Sequence, residues 1–85
     1  MEKTIKIIAL LNNLILISEI IEVGSEIGEP DCKLINPFIV KSDNVIEPFL
    51  SDYTLQDTFM ISSDKILTLA DPNEALLEKY TELTA

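Results

Sequence analysis

The residues able to do chemistry in this chain are few, and their types exclude more than they allow. There is no histidine and one cysteine among 85 residues. Without histidine, the usual general base and the commonest metal ligand are missing, so one chain cannot build a Ser-His or Cys-His nucleophile or a histidine-ligated zinc site. Cys32 has only Lys33 as a cationic neighbour in sequence. A reactive thiolate needs a more electropositive setting, so Cys32 reads as a small buried hydrophobe.

The carboxylates offer a second chemistry. Glu19, Glu22, Glu26, Glu29 and Asp31 form a run uninterrupted by lysine, and oxygen ligands converging on a loop can hold Ca²⁺ or Mg²⁺. The spacing departs from the EF-hand pattern, so a solvated acidic strand end and loop is the reading, with no metal expected. Gly24 and Gly28 lead into Glu29-Pro30 and not into a lysine or a helix start, which removes the phosphate-cradling loop. No RNP-type run of aromatics is present. These residues point away from an enzyme and require no cofactor.

The elements that must carry these residues are short strands and one helix. Thr4 to Leu11 and Leu14 to Val23 are rich in isoleucine and leucine, and Asn12-Asn13 between them suits the positive φ of a two-residue hairpin turn. "GSEIGEP", Gly24 to Pro30, reads as a loop. Cys32 to Val40 reads as a strand in which Pro37 demands an edge, a bulge or a bend. "KSDN", Lys41 to Asn44, is a polar turn before the short strand Val45 to Leu50, where Pro48 again implies an edge or a bend. Ser51 to Asp57 is a polar crossing. Phe59 to Ile61 and Ile66 to Leu69 flank the polar Ser62-Ser63-Asp64-Lys65, so the chain is expected to turn there and pair back on itself. Asp71 is the expected helix cap, with Pro72 in the first turn and Glu74 three residues after the cap. Leu76, Leu77, Tyr80 and Leu83 make one apolar stripe, for core packing or for a partner.

Size and composition set the frame. One domain is expected over residues 1–85, with a barrel over about 4–70 and a helix over about 72–84. The fold class is mainly β: a small, five-stranded, strongly bent open barrel with one short C-terminal α-helix. Thirteen isoleucines and twelve leucines against five aromatics, within a 47% apolar composition, are more than so small a core absorbs, so some apolar surface should meet other copies. A single cysteine cannot make an intrachain disulfide, no signal-peptide pattern is visible and no apolar run approaches the ~20 residues of a membrane span. A soluble cytoplasmic protein is expected. The net charge is −9, from fifteen acids against six lysines and no arginine. That opposes nonspecific nucleic-acid binding, although a ring can still gather a few lysines around one pore.

The stretch Ile61-Ser62-Ser63-Asp64-Lys65-Ile66-Leu67-Thr68-Leu69 resembles the second motif of the Sm and Sm-like family, which includes the bacterial host-factor RNA chaperone. It matches that motif in length and in its three apolar positions. Ser62 and Ser63 stand where the family carries a basic residue and a glycine. The family's other motif, an aspartate and an asparagine flanking an apolar residue, has Asp31 and Asn36 as its nearest counterparts, at wider spacing. The helix follows the barrel here, whereas most members carry one before it, and such divergence resembles the Sm-like proteins attributed to marine bacteriophages.

The resemblance implies a cyclic homo-oligomer of about five to seven copies, closed by pairing the fourth strand of one copy with the fifth of the next. Phe59, Met60, Ile61, Ile66, Leu67 and Leu69 would line that interface. It also implies single-stranded RNA at pore loops, with Asp31, Lys33 and Asn36 from one loop and Ser62, Ser63, Asp64 and Lys65 from the other. The alternative is an adaptor ring that binds protein and never meets nucleic acid. Lysines gathered around one pore favour RNA; lysines scattered among carboxylates favour the adaptor.

Overall fold

In a computed structural model, which describes residues 4–24, 26–27, 29–42 and 45–84, the chain forms six strands and one helix. The strands are β1 (Ile5–Leu10), β2 (Ile15–Glu22), β3 (Cys32–Val40), β4 (Ile46–Pro48), β5 (Thr58–Ile61) and β6 (Ile66–Ala70), followed by α1 (Glu74–Thr84). Ser25 and Gly28 of the "GSEIGEP" loop and Asp43-Asn44 of the "KSDN" turn lie outside the described residues. The mainly β fold with one C-terminal helix is as expected. The strand count is six, one for each apolar run read in the sequence and one more than the five-stranded barrel expected, because Ile46–Pro48 and β5 pair separately with opposite ends of β3.

All ladders are antiparallel. The sheet runs β4-β3-β2-β1-β6, with β5 also on β3. The β1–β2 connection has three residues, not two. Asn13 N–H donates to Leu10 O at 3.1 Å and Leu10 N–H to Leu14 O at 2.9 Å, leaving Leu11-Asn12-Asn13 as the loop. Only Asn13 takes positive φ, 68°, as a turn followed by a left-handed residue requires.

Pro37 is accommodated by a bulge. Ile17 faces Phe38 and Glu19 faces Ile35, so Asn36 and Pro37 together oppose Ser18. Asn36 sits at φ 52°, a value asparagine tolerates better than most residues, and the missing N–H of Pro37 falls where the ladder is already interrupted. The extra residue inverts the inside–outside pattern of β3: Cys32 and Leu34 face one side before it, Ile39 the same side after it. Pro48 sits in β4, an edge strand.

The two faces of the sheet bury two clusters. Ile8, Leu16, Ile20, Cys32 and Leu34 fill the concave side, with Leu10, Ile39, Phe49, Ile61 and Ile66 packed against them. Ile17, Phe38, Ile46, Leu76 and Tyr80 form the other, beneath the helix. Paired neighbours Ile8–Leu16 and Ile7–Ile17 separate into these clusters by strand alternation. Of the helix stripe, Leu76 and Tyr80 are buried while Leu77 and Leu83 are exposed.

The cap is Asn73. Its Oδ1 accepts the Leu76 N–H at 2.8 Å, its carbonyl accepts the Leu77 N–H at 3.0 Å, and Asp71 is drawn instead to Lys6 Nζ at 2.5 Å. A cap belongs two or three residues before the first satisfied N–H, and Asp71 stands too early for a helix that begins at Glu74.

The expected hairpin through residues 62–65 does not form. β5 pairs with β3 and β6 with β1, so the two strands occupy opposite ends of the sheet. Ser63–Lys65 is a 3-10 turn that swings the chain across the open side, letting Ile61 and Ile66 both pack onto the concave cluster. The barrel is therefore open. Among the described residues, no helix is long and apolar enough to cross a membrane.

Candidate functional site

One contact joins the two loops singled out in the sequence. The loop after β2 closes through Val23 N–H to Asp31 O at 2.9 Å, which sets Asp31 at the mouth of β3. Its carboxylate accepts both the N–H and the Oγ–H of Ser63, each at 2.7 Å. Those bonds, the Ser63 hydroxyl first and its N–H second, hold the Asp31 carboxyl below its ordinary value. A carboxylate thus occupies the donors that open the 3-10 turn, where a phosphate oxygen would otherwise find them.

The groove beside this clasp, about 350 Å³, is lined by Glu26, Glu29, Asp31 and Asp64 with Ser62 and Ser63. Asp31, Ser62, Ser63 and Asp64 are thus brought together. Lys33 is not in the loop: it lies within β3, opposite Ile21 on one side and Met60 on the other. Asn36 is not there either, since it forms the β3 bulge near the far end of β5 and donates its N–H to Asp57 O at 2.7 Å. Lys65 closes the 3-10 turn facing the β1–β2 loop, where its carbonyl accepts the Leu11 N–H at 3.1 Å.

Of the other lysines, Lys6 pairs with Asp71 at 2.5 Å and Lys41 with Glu47 at 3.0 Å. Among the described residues, no group of three or more histidine, cysteine, aspartate or glutamate side chains is arranged to hold a metal ion. Cys32 is only 5% exposed, and burial first, then the charges of Asp31 and Glu22, push its thiol above its ordinary value. That keeps it protonated and unreactive.

The expected interface residues lie on two open edges. Beyond β3, β5 has no further neighbour among the described residues, and β6 has none beyond β1. The Asn36–Asp57 bond fixes which groups of β5 face outward. Hydrogen-bonded pairs alternate along an antiparallel ladder, so Phe59 and Ile61 bond to β3 while Thr58 and Met60 turn their N–H and C=O to the free edge. On β6, Ala9 faces Thr68 and Leu10 faces Ile66, leaving Leu67 as a bulge without a partner.

Met60 is 49%, Leu67 69% and Leu69 46% exposed, whereas Phe59, Ile61 and Ile66 are half-buried. Phe59 packs edge-on against Phe49 with ring centroids 5.7 Å apart. Between β6 and the start of β3 a groove of about 710 Å³ opens, with Ile20, Cys32, Ile66, Leu67 and Leu69 in its walls.

Sequence reasoning missed the role of Tyr80 beyond packing and the role of Gln56 altogether. Tyr80 Oη accepts the Glu19 N–H at 3.0 Å and donates to Ile35 O at 2.9 Å, tying the helix to the bulge. A buried tyrosine on a helix stripe was the available signal, because its hydroxyl must find partners. Gln56 lies in a polar crossing with no signal of its own; its side chain bonds to Thr58 O.

The profile of a family of unknown function, DUF6561, matches residues 3–85. The chain belongs to the DUF6561 family. No curated protein matches it. This DUF6561 member thus presents two open apolar edges and one carboxylate-lined loop junction among its described residues.

Proposed function

We propose that this chain is a non-catalytic, Sm-like, self-assembling module that closes a ring of about five to seven copies by pairing β5 of one copy with β6 of the next, and that it serves as a protein-interaction adaptor. The observation that carries this reading is the pair of open edges. β5 and β6 leave one tight turn, lie at opposite ends of the sheet and expose Met60, Leu67 and Leu69. Unpaired apolar strand edges are a liability in a lone copy, and pairing in trans removes them. An 85-residue chain also gains the core it is short of.

The adaptor is preferred over RNA on the placement of charge. Lys6 and Lys41 are neutralised by carboxylates, and the loop junction presents four acidic side chains with its donors already taken by Asp31. Phosphate is repelled from such a surface. Weak binding of single-stranded RNA is the second reading, supported by Lys33 and Lys65, which have no ion-pair partner among the described residues.

Light scattering at micromolar concentration tests assembly, and a clean single-copy mass refutes it. The sharper variant is Met60→Pro. The Met60 N–H faces the open edge, so proline there removes a donor needed only in trans, and the expected result is a folded single copy. Titration with uridine-rich and adenine-rich oligonucleotides at low salt separates the readings. Binding that weakens steeply with salt and with Lys65→Glu selects RNA over the adaptor.

A further inference from the structure

The free edge of β5 is already partly occupied by the chain itself. Four residues long, β5 turns only Thr58 and Met60 outward, so an incoming strand finds two carbonyl acceptors there. One of them, Thr58 O, accepts a hydrogen bond from the Gln56 side-chain amide. The geometry that holds Gln56 in place is local: its own N–H is tied to Thr54 Oγ1 at 3.1 Å, and Thr58 Oγ1 donates to Asp57 Oδ1 at 3.2 Å. The residues just before β5 thus hold the Gln56 side chain against Thr58 O.

We propose that Gln56 is an edge guard: its amide, bonded to Thr58 O on the open side of β5, competes with strand pairing in trans and sets the concentration at which copies associate. The guard rests on the assembly reading given above. Its chemistry is that of an intramolecular substitute. The side-chain amide supplies the donor that a backbone N–H of a second copy would supply, and it must leave before that strand can bond to Thr58 O. Met60 O remains open, so the guard raises the threshold for pairing without abolishing it. A short edge strand with one acceptor occupied is also less prone to pair with unrelated strands.

Removing a competing hydrogen bond, worth a net ~0.5–1.5 kcal/mol, corresponds to a roughly two- to tenfold lower dissociation constant per interface. Sedimentation velocity from nanomolar to high micromolar concentration, on wild type, Gln56→Ala and Thr54→Val, reads that shift. Tighter association of Gln56→Ala, with a smaller shift in the same direction for Thr54→Val, supports the guard. Equal or weaker association of Gln56→Ala while the wild type still assembles overturns the guard and leaves the assembly reading standing. If every form stays a single copy throughout, assembly fails and the guard falls with it. The contact has its own readout: slow exchange of the Gln56 side-chain amide protons in the single-copy Met60→Pro form supports it, and exchange at the rate of a free glutamine overturns it.

Discussion

Tyr80→Phe isolates one hydroxyl whose loss the surrounding structure cannot absorb. Tyr80 is 2% exposed, and its ring meets Phe38 edge-on with centroids 5.7 Å apart, contacts that phenylalanine keeps. What goes is the bridge across the bulge, where the hydroxyl accepts the Glu19 N–H and donates to Ile35 O. Ile35 O retains the Ser18 Oγ at 3.1 Å, whose single hydrogen is shared with Glu19 O at 2.8 Å, so its loss is softened in part. The Glu19 N–H keeps nothing, and the ring still covers it.

One orphaned donor costs about 1–3 kcal/mol, and we expect about 2 kcal/mol here, the acceptor side adding little. For a domain this small that is roughly 8–16 °C in melting temperature. Urea unfolding followed by far-ultraviolet circular dichroism measures it, and an unchanged slope shows that stability alone has moved. Ser18→Ala combined with Tyr80→Phe should cost more than the sum of the single changes, because Ile35 O then loses both donors. A loss under about 0.5 kcal/mol for Tyr80→Phe, within the scatter of surface changes, refutes the bridging role.

The same hydroxyl has a pH signature. Burial first of all raises the Tyr80 phenol above its ordinary 10.0. The native state therefore holds this proton more tightly than the unfolded chain does. Its contribution is fully present below pH 10 and is lost as pH rises through the raised native value. Tyr80→Phe should lack this alkaline loss.

Asn73→Ala should cost about 1 kcal/mol as a lost helix cap, while Asp71→Ala should cost about 0.2–1 kcal/mol as a lost exposed ion pair; thermal melts rank the two, and the reverse order would return the cap to Asp71. Asp31 has a lowered native value, so its clasp on Ser63 is present above its ordinary 3.8 and is lost as pH falls through the lower one. Amide exchange at Ser63 should accelerate across that acid window in the wild type and be fast at all pH in Asp31→Ala. Cys32 should resist a thiol reagent in the native state and react only on unfolding, so rapid native labelling would refute its burial.

How much was legible in the sequence depends on how local the cause is. Alternating apolar runs marked the strands of β1, β2 and β3, and asparagine at the first turn marked a left-handed residue, because side-chain sterics act within a few residues. The proline before Asn73 marked a helix start to within two residues. The absence of histidine removed whole classes of chemistry from a single chain, whatever its fold. Pro37 likewise demanded an edge, a bulge or a bend in β3, since a proline has no ladder donor in any context.

Tertiary structure decided the rest. Residues 62–65 are compatible with a hairpin turn, and only the competing edges of β3 and β1, each backed by a buried cluster, drew β5 and β6 apart. Asn73 caps because the helix begins at Glu74, and Asp71, two residues earlier than the cap, pairs instead with Lys6, 65 residues away. Asp31 and Ser63 meet across 32 residues, and Tyr80 reaches Glu19 across 61. Lys33 and Asn36, grouped with Asp31 in one loop only by the family resemblance, lie in the strand that the run Cys32 to Val40 itself indicated, Asn36 at its bulge. Local rules specify which conformations each segment can take. Which of them pair is a property of the whole chain, set by burying two apolar faces at once.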